Sequence, residues 1–194
     1  MCKVEFVEPI RDKKQIENMK TFLKGKSLRD YLLFVLGINS ALRISDILNL
    51  KVSDMCEIVK GKYIVASRIS LKEQKTNKSK DFPLSSNAVK ALSEYLQNVK
   101  LDGNDFLFAR KKGKDPITRQ QAYRILNAAA KAVGVPGRIG THTMRKTFGY
   151  WAYTSGVDVA LIQKLLNHSA PSVTLRYIGI TQDQMDDVYI NLNL

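Results

Sequence analysis

In "THTMRKTFG", His142 and Arg145 stand three residues apart, a spacing that puts both side chains on one face of a helix. Arg145 brings a planar fork of donors that suits a phosphate, and His142 can donate to the same group. Taken alone, the pair is weak evidence, and an ordinary polar helix face is the more common reading. Arg43, in "ALRISDILNL", supplies a second guanidinium, with Asp46 three residues on as the candidate to hold it. By itself that is a local ion pair of small energetic worth. Lys75 lies in "LKEQKTNKS" with Lys72, Lys78 and Lys80 close by. Most such lysines are solvated, but a hairpin tip can carry one ammonium to a leaving oxygen. His168, in "LLNHSAPSVTLRYIG", ends a helical stretch, where a histidine interacts well with the helix dipole. Tyr177 closes the set. A phenol, with a pKa of about 10, attacks only where its developing charge is stabilised. Two arginines beside a phosphate would do that, because they favour the transition state over the resting phenol. The chemistry available is therefore to grip a phosphate, attack it with a phenol and protonate what departs.

The elements that must position these groups read as mainly helical. Residues 11–24 place Ile16, Met19, Phe22 and Leu23 at helical spacing. Ser27 is an N-cap for a second helix through "LRDYLLFVLGIN", whose apolar second half predicts central burial. "RISDILNL" is a short third helix. The period then changes. "KYIVASRIS" (62–70) reads as one strand and "KDFPLS" (80–85) as its return partner, with "TN" as turn material. Residues 87–99 return to helical spacing, and 105–118 read as a short strand and a basic loop. Thr118 caps a helix that stops at Gly134, and 142–156 form another helix, again stopped by glycine. "DVALIQKLLNH" follows, then a "SAPS" turn and a short segment holding Tyr177. In the tail, about 181–194, Met185, Val188, Tyr189 and Leu192 form one apolar helical stripe. No linker divides the chain, so residues 1–194 read as one domain.

Composition narrows the partner. Lys plus Arg is 31 and Asp plus Glu is 18, a net charge of +13 in 194 residues. A polyanion would relieve that self-repulsion, and nucleic acid is the first candidate, with a ribosomal or membrane surface as further possibilities. Cys2 and Cys56 make neither a metal spacing nor a disulfide framework and read as reduced cytosolic thiols. The longest apolar run, "YLLFVLGI", is far too short to span a bilayer, and "MCKVEFVEPI" has no secretory core. The expected location is cytoplasmic.

In this order, Arg43, Lys75, His142-x-x-Arg145, His168 and Tyr177 form a joint pattern, and it resembles the catalytic domain of the tyrosine recombinases, the phage-integrase family. The matching stretches are "ALRISDILNL", "QKTNKSKDFPL", "THTMRKTFG" and "LLNHSAPSVTLRYIG", across roughly residues 10 to 190. The resemblance implies an α+β, mainly α-helical fold with a small antiparallel β-sheet. It implies a site-specific DNA recombinase or integrase that cleaves and rejoins strands through a 3′-phosphotyrosine on Tyr177. Arg43, His142, Arg145 and His168 would hold the phosphate, and Lys75 would act as general acid, with Lys72 and Lys78 near enough to compete. No cofactor and no metal is implied. The expected partner is double-stranded DNA, bound as a homotetramer on paired sites by protomers that are monomeric when free. Members usually carry an N-terminal helical domain that grips the other side of the DNA, and this chain starts almost at the catalytic domain. Two other readings remain: type IB topoisomerase-like relaxation of DNA, and a non-catalytic DNA-binding module of the same fold.

Overall fold

The computed structural model describes residues 7–75, 77–110, 113–180 and 189–191. The first helices form where the sequence carries their caps. The Asp12 carboxylate accepts from Lys14 N–H at 2.7 Å to start α1 (Lys13–Lys26), and Ser27 Oγ accepts from Asp30 N–H at 3.3 Å to start α2 (Leu28–Asn39). Leu32 to Gly37 of α2 are all buried, as an apolar run in a central helix must be. Around α2 pack α1, α4 (Ser86–Gln97) and α6 (Thr141–Thr154). The short α3 (Ile44–Leu48) turns Ile44, Ile47 and Leu48 into the same core.

The β-region differs from its sequence reading. Residues 62–70 are not one strand. β1 (Cys56–Val59) pairs antiparallel with β2 (Lys62–Val65), and β3 (Arg68–Lys72) pairs with β4 (Ser79–Pro83). The break falls between Ala66 and Ser67: the Ala66 N–H donates to Met55 O at the end of the first pairing, and Ser67 O accepts from Leu84 N–H at the start of the second. Among the described residues of 105–118 there is no strand either, only the isolated bridges Lys51–Phe106 and Ala109–Pro116. Pro116 has no N–H with which to extend a ladder.

α5 (Arg119–Ala132) opens with a reciprocal cap. Thr118 Oγ1 accepts from Gln121 N–H at 3.2 Å, and Gln121 Oε1 accepts from Thr118 N–H at 2.8 Å. α7 (Val159–Leu166) ends at Asn167, which takes the left-handed conformation, φ 50°. The expected "SAPS" turn is shorter than the sequence suggested. Pro171 is the first residue of α8 (Pro171–Ile178), so Tyr177 stands on a regular helix. Proline at that position has the right φ and gives up an N–H that is unpaired there anyway.

A second apolar cluster gathers Ala41, Ile162, Leu166, Ile178 and Ile180 beneath Tyr177. Gly149 of α6 makes this possible. A Cβ there would lie 2.7 Å from Ile178 Cγ2 and 3.1 Å from Leu166 Cδ1. The missing side chain lets α7 and α8 seat directly on α6, next to Arg145. Of the tail helix, residues 189–191 are helical and exposed; Met185, Val188 and Leu192 lie outside the described residues. Among the described residues no helix is long and apolar enough to cross a membrane.

Candidate active site

Arg145 is the structural centre of the site. It is only 4 % exposed and extends from α6 between two other elements. Its Nη1 donates to Ala41 O, in the turn after α2, and its Nη2 donates to Leu166 O, at the end of α7. Two of five N–H donors thus hold backbone, another reaches the Tyr177 hydroxyl, and the rest remain for a ligand. Ala41 has φ 53°, a left-handed conformation uncommon for a residue with a side chain, and its carbonyl is gripped from two directions. The second grip is Lys80, on β4. Its Nζ donates to Ser40 O (3.4 Å), Ala41 O (3.3 Å) and Leu165 O (3.2 Å). Burial, reinforced by the Arg145 charge, pulls the Lys80 ammonium down to about 8.

Arg43 is the N-cap residue of α3 and half-buried. Its expected partner, Asp46, is not the one it uses. Arg43 Nη1 lies 2.8 Å from Glu73 Oε2, while Asp46 Oδ1 accepts from Gln74 N–H at 3.0 Å. Glu73, 3 % exposed, also accepts from Asn167 Nδ2 at 3.2 Å. The Glu73 carboxylate therefore ties the hairpin to both the first arginine and the residue before His168. A signal for this existed. Ile69 and Leu71 point inward from β3, and Glu73 continues the alternation, so an inward carboxylate had to find a cation.

Tyr177 and His168 meet edge to face, with ring centroids 4.7 Å apart and planes at 72°. His168 Nδ1 lies 3.1 Å from Thr174 Oγ1. Tyr177 Oη lies 3.4 Å from His142 Nδ1, and Lys146 Nζ stands 5.1 Å from the Tyr177 ring centroid. Burial raises the phenol's pKa, and the charges of Arg145 and Arg43 work against that rise. The phenol thus rests protonated, in a field that favours its anion. The same burial and the same arginines push His168 down to about 4.

Five of the six sequence candidates converge here: His142 and Arg145 from α6, Tyr177 from α8, Arg43 from the N-cap of α3 and His168 from the segment between α7 and α8. Lys75 does not touch them. It is exposed in the turn after β3, and its charge reaches His142. Its competitors are partly committed. Lys78 Nζ donates to Asn167 Oδ1 at 3.2 Å, and Lys72 is exposed within β3. Among the described residues no group of three His, Cys, Asp or Glu side chains could hold a metal ion.

The His168 value sets a pH dependence. Its folded pKa of about 4 lies below the unfolded value of 6.5. Between the two, the unfolded chain binds the extra proton, so this contribution to stability is complete above 6.5 and is lost as pH falls toward 4. Thermal melting of wild type between pH 7 and pH 4 should show that loss, and His168→Gln should make it shallower. An equally steep loss in the variant would remove His168 as a source.

A buried arginine fork, a second paired arginine, two histidines with lowered pKa and a tyrosine stand together on one cationic surface, an arrangement chemically able to hold a phosphate beside a phenol. Comparison with known proteins gives the family. Residues 11–184 match the phage integrase family. The chain is 44 % identical over 186 residues to the probable integrase/recombinase YoeC of Bacillus subtilis (strain 168), covering 96 % of this chain and 97 % of that protein. It is 28 % identical over 169 residues to tyrosine recombinase XerC of Staphylococcus epidermidis (strain RP62A), covering 86 % of this chain but 54 % of the relative. Its fold is similar to the crystal structure of XerA recombinase, with a TM-score of 0.76 at 20 % identity over 97 % of this chain and 66 % of that one. It is also similar to XerH site-specific recombinase bound to a palindromic difH substrate in a post-cleavage complex, with a TM-score of 0.71 at 20 % identity over 97 % of this chain and 54 % of that one. The chain belongs to the phage integrase family and is a tyrosine recombinase catalytic domain. It spans about half the length of the XerC relative and nearly all of YoeC.

Proposed function

We propose that this chain cuts and rejoins double-stranded DNA with Tyr177 as nucleophile. The observation that supports this most is the seating of the Tyr177 phenol among Arg145, Arg43, His142 and His168, where a phosphate would meet both guanidiniums. Arg43, Arg145 and His142 hold the non-bridging oxygens of the scissile phosphate, and His168 adds a hydrogen bond. An arriving phosphate offsets the two arginine charges, which restores the histidine's ability to carry a proton. Tyr177 Oη attacks phosphorus in line. The bond from phosphorus to the 5′ oxygen breaks, the 3′ phosphate is left on the tyrosine and the phenol's proton passes to solvent. Lys75 protonates the departing 5′ oxygen and recovers its proton from solvent. The phosphotyrosine conserves the bond energy, so a 5′ hydroxyl from another duplex reverses the step and exchanges strands without a nucleotide cofactor.

The net charge of +13 supports duplex DNA as partner through phosphate contacts and counterion release. The DNA-bound state of the XerH relative supports the same partner. The working assembly is a homotetramer on paired sites, formed from monomers in the cytoplasm.

Lys75 is the role to test here. Lys75→Ala should spare DNA binding and slow cleavage about 100-fold or more, the usual scale for a lost general acid. A substrate with sulfur in place of the 5′ bridging oxygen should restore the rate, because a thiolate leaves unprotonated. Rescue of Lys72→Ala or Lys78→Ala in place of Lys75→Ala would move the acid along the loop. Absence of rescue in all three would take the loop out of acid catalysis.

A further inference from the structure

Both ring nitrogens of His142 are engaged. Nδ1 faces Tyr177 Oη at 3.4 Å, and Nε2 lies 3.2 Å from Arg119 Nη2. Arg119 is the first residue of α5, and its Nε also donates to Thr141 Oγ1 at 3.4 Å, the first residue of α6. The guanidinium therefore bridges two helix N-termini. A cation is out of place there, since the dipole disfavours positive charge in a first turn. That cost points to a purpose beyond the helix.

Arginine has donors only and keeps its proton at any working pH. The nitrogen that faces it must accept. A neutral imidazole that accepts at Nε2 carries its one proton at Nδ1. We infer that Arg119 is a positioning residue that fixes His142 as the Nδ1–H tautomer, so that His142 donates to the Tyr177 oxygen and does not take its proton. This deepens the recombinase reading and rests on it for the catalytic consequence, though not for the tautomer itself. A donor aimed at Oη steadies the phenol oxygen as its charge develops, and the same N–H can pass to a non-bridging oxygen when phosphate arrives. The phenol's proton leaves to solvent by another route.

The groups around His142 agree. Arg119 faces it from α5, Arg145 and Lys146 from its own helix, Lys75 from the hairpin and Tyr177 from α8. Burial first, and then those four cations, lower its pKa, so it is neutral at pH 7 and its tautomer matters.

The chain has two histidines, which makes the test clean. In long-range proton–nitrogen NMR of the free protein, His142 should show the Nδ1–H pattern. In Arg119→Met it should shift toward the Nε2–H form, and its pKa should rise toward 6.5. Arg119→Lys, which retains a donor, should keep the wild-type tautomer. In single-turnover cleavage at saturating protein, Arg119→Met should lose about tenfold at neutral pH, on the scale of one hydrogen bond. The loss should shrink as pH falls through the raised pKa, because protonated His142 regains Nδ1–H. A purely structural defect gives no such acid rescue. An Nε2–H pattern in wild type, or one unchanged in Arg119→Met, overturns the inference. If the tautomer is as stated but wild type never links to DNA, the recombinase reading fails and the tautomer assignment stands.

Discussion

Tyr177→Phe will fold, bind DNA and fail to form any covalent adduct. The loss should be on the order of 10⁶-fold, the scale seen when an enzyme loses its nucleophile. The ring's surroundings explain why little else should change. The His168 edge, the Lys146 ammonium and the apolar cluster beneath α8 all contact the ring and not the hydroxyl. The hydroxyl's bond to His142, at 3.4 Å, is long, and its other partner is the Arg145 guanidinium, so its removal should cost about 1–3 kcal/mol. Melting, filter binding and adduct formation on one preparation would separate the three properties. A residual adduct at more than a trace would assign the chemistry to another residue.

Arg145→Lys should slow cleavage by about 10²–10³-fold, as expected when a preorganised donor to a developing charge is lost. It should also lower stability, and the reason lies in the fork. Arg145 holds Ala41 O and Leu166 O with separate nitrogens and still has donors to spare. A lysine must reach both carbonyls from a single nitrogen, where the guanidinium uses two separate ones, and it offers no planar pair to a phosphate. A buried carbonyl left without its donor costs about 1–3 kcal/mol. At ~2–4 °C per kcal/mol for a chain of this size, the melting temperature should fall by several degrees. Cleavage within a few-fold of wild type would reduce Arg145 to a structural clamp. Lost cleavage with unchanged melting would mean that the carbonyl contacts carry no weight.

The helices were legible because their signals are local. Ser27, Thr118 and the periodic apolar residues of α1, α2 and α4 act within a few positions of themselves. The β-region was less so. The stretch from Tyr63 to Ile69, with Ile64, Val65 and Ile69 β-branched, does not show that Ala66 and Ser67 divide it between two ladders, because the partner strands that divide it lie on either side of it in the chain. Pro171 marks the start of α8, although "SAPS" has the composition of a turn. The catalytic candidates were recognisable by type, but what holds them was not. Glu73 displaced Asp46 as the partner of Arg43, Lys80 proved to clamp the Ala41 turn, and Arg119 reached His142. Each of those contacts joins residues more than twenty positions apart and is made between different elements, which no local pattern in the sequence announces.

The account stands or falls on which atom takes the DNA. Wild-type protein should be incubated with a nicked duplex that loses its cleaved end, in the absence of nucleotide and with a chelator present. The adduct should then be digested and the modified peptide mapped by mass spectrometry. The peptide containing "LRYIG" should carry a 3′ phosphate on Tyr177. A nucleotide on Tyr150, Tyr153 or Tyr189, or a linkage through a 5′ phosphate, would contradict the account.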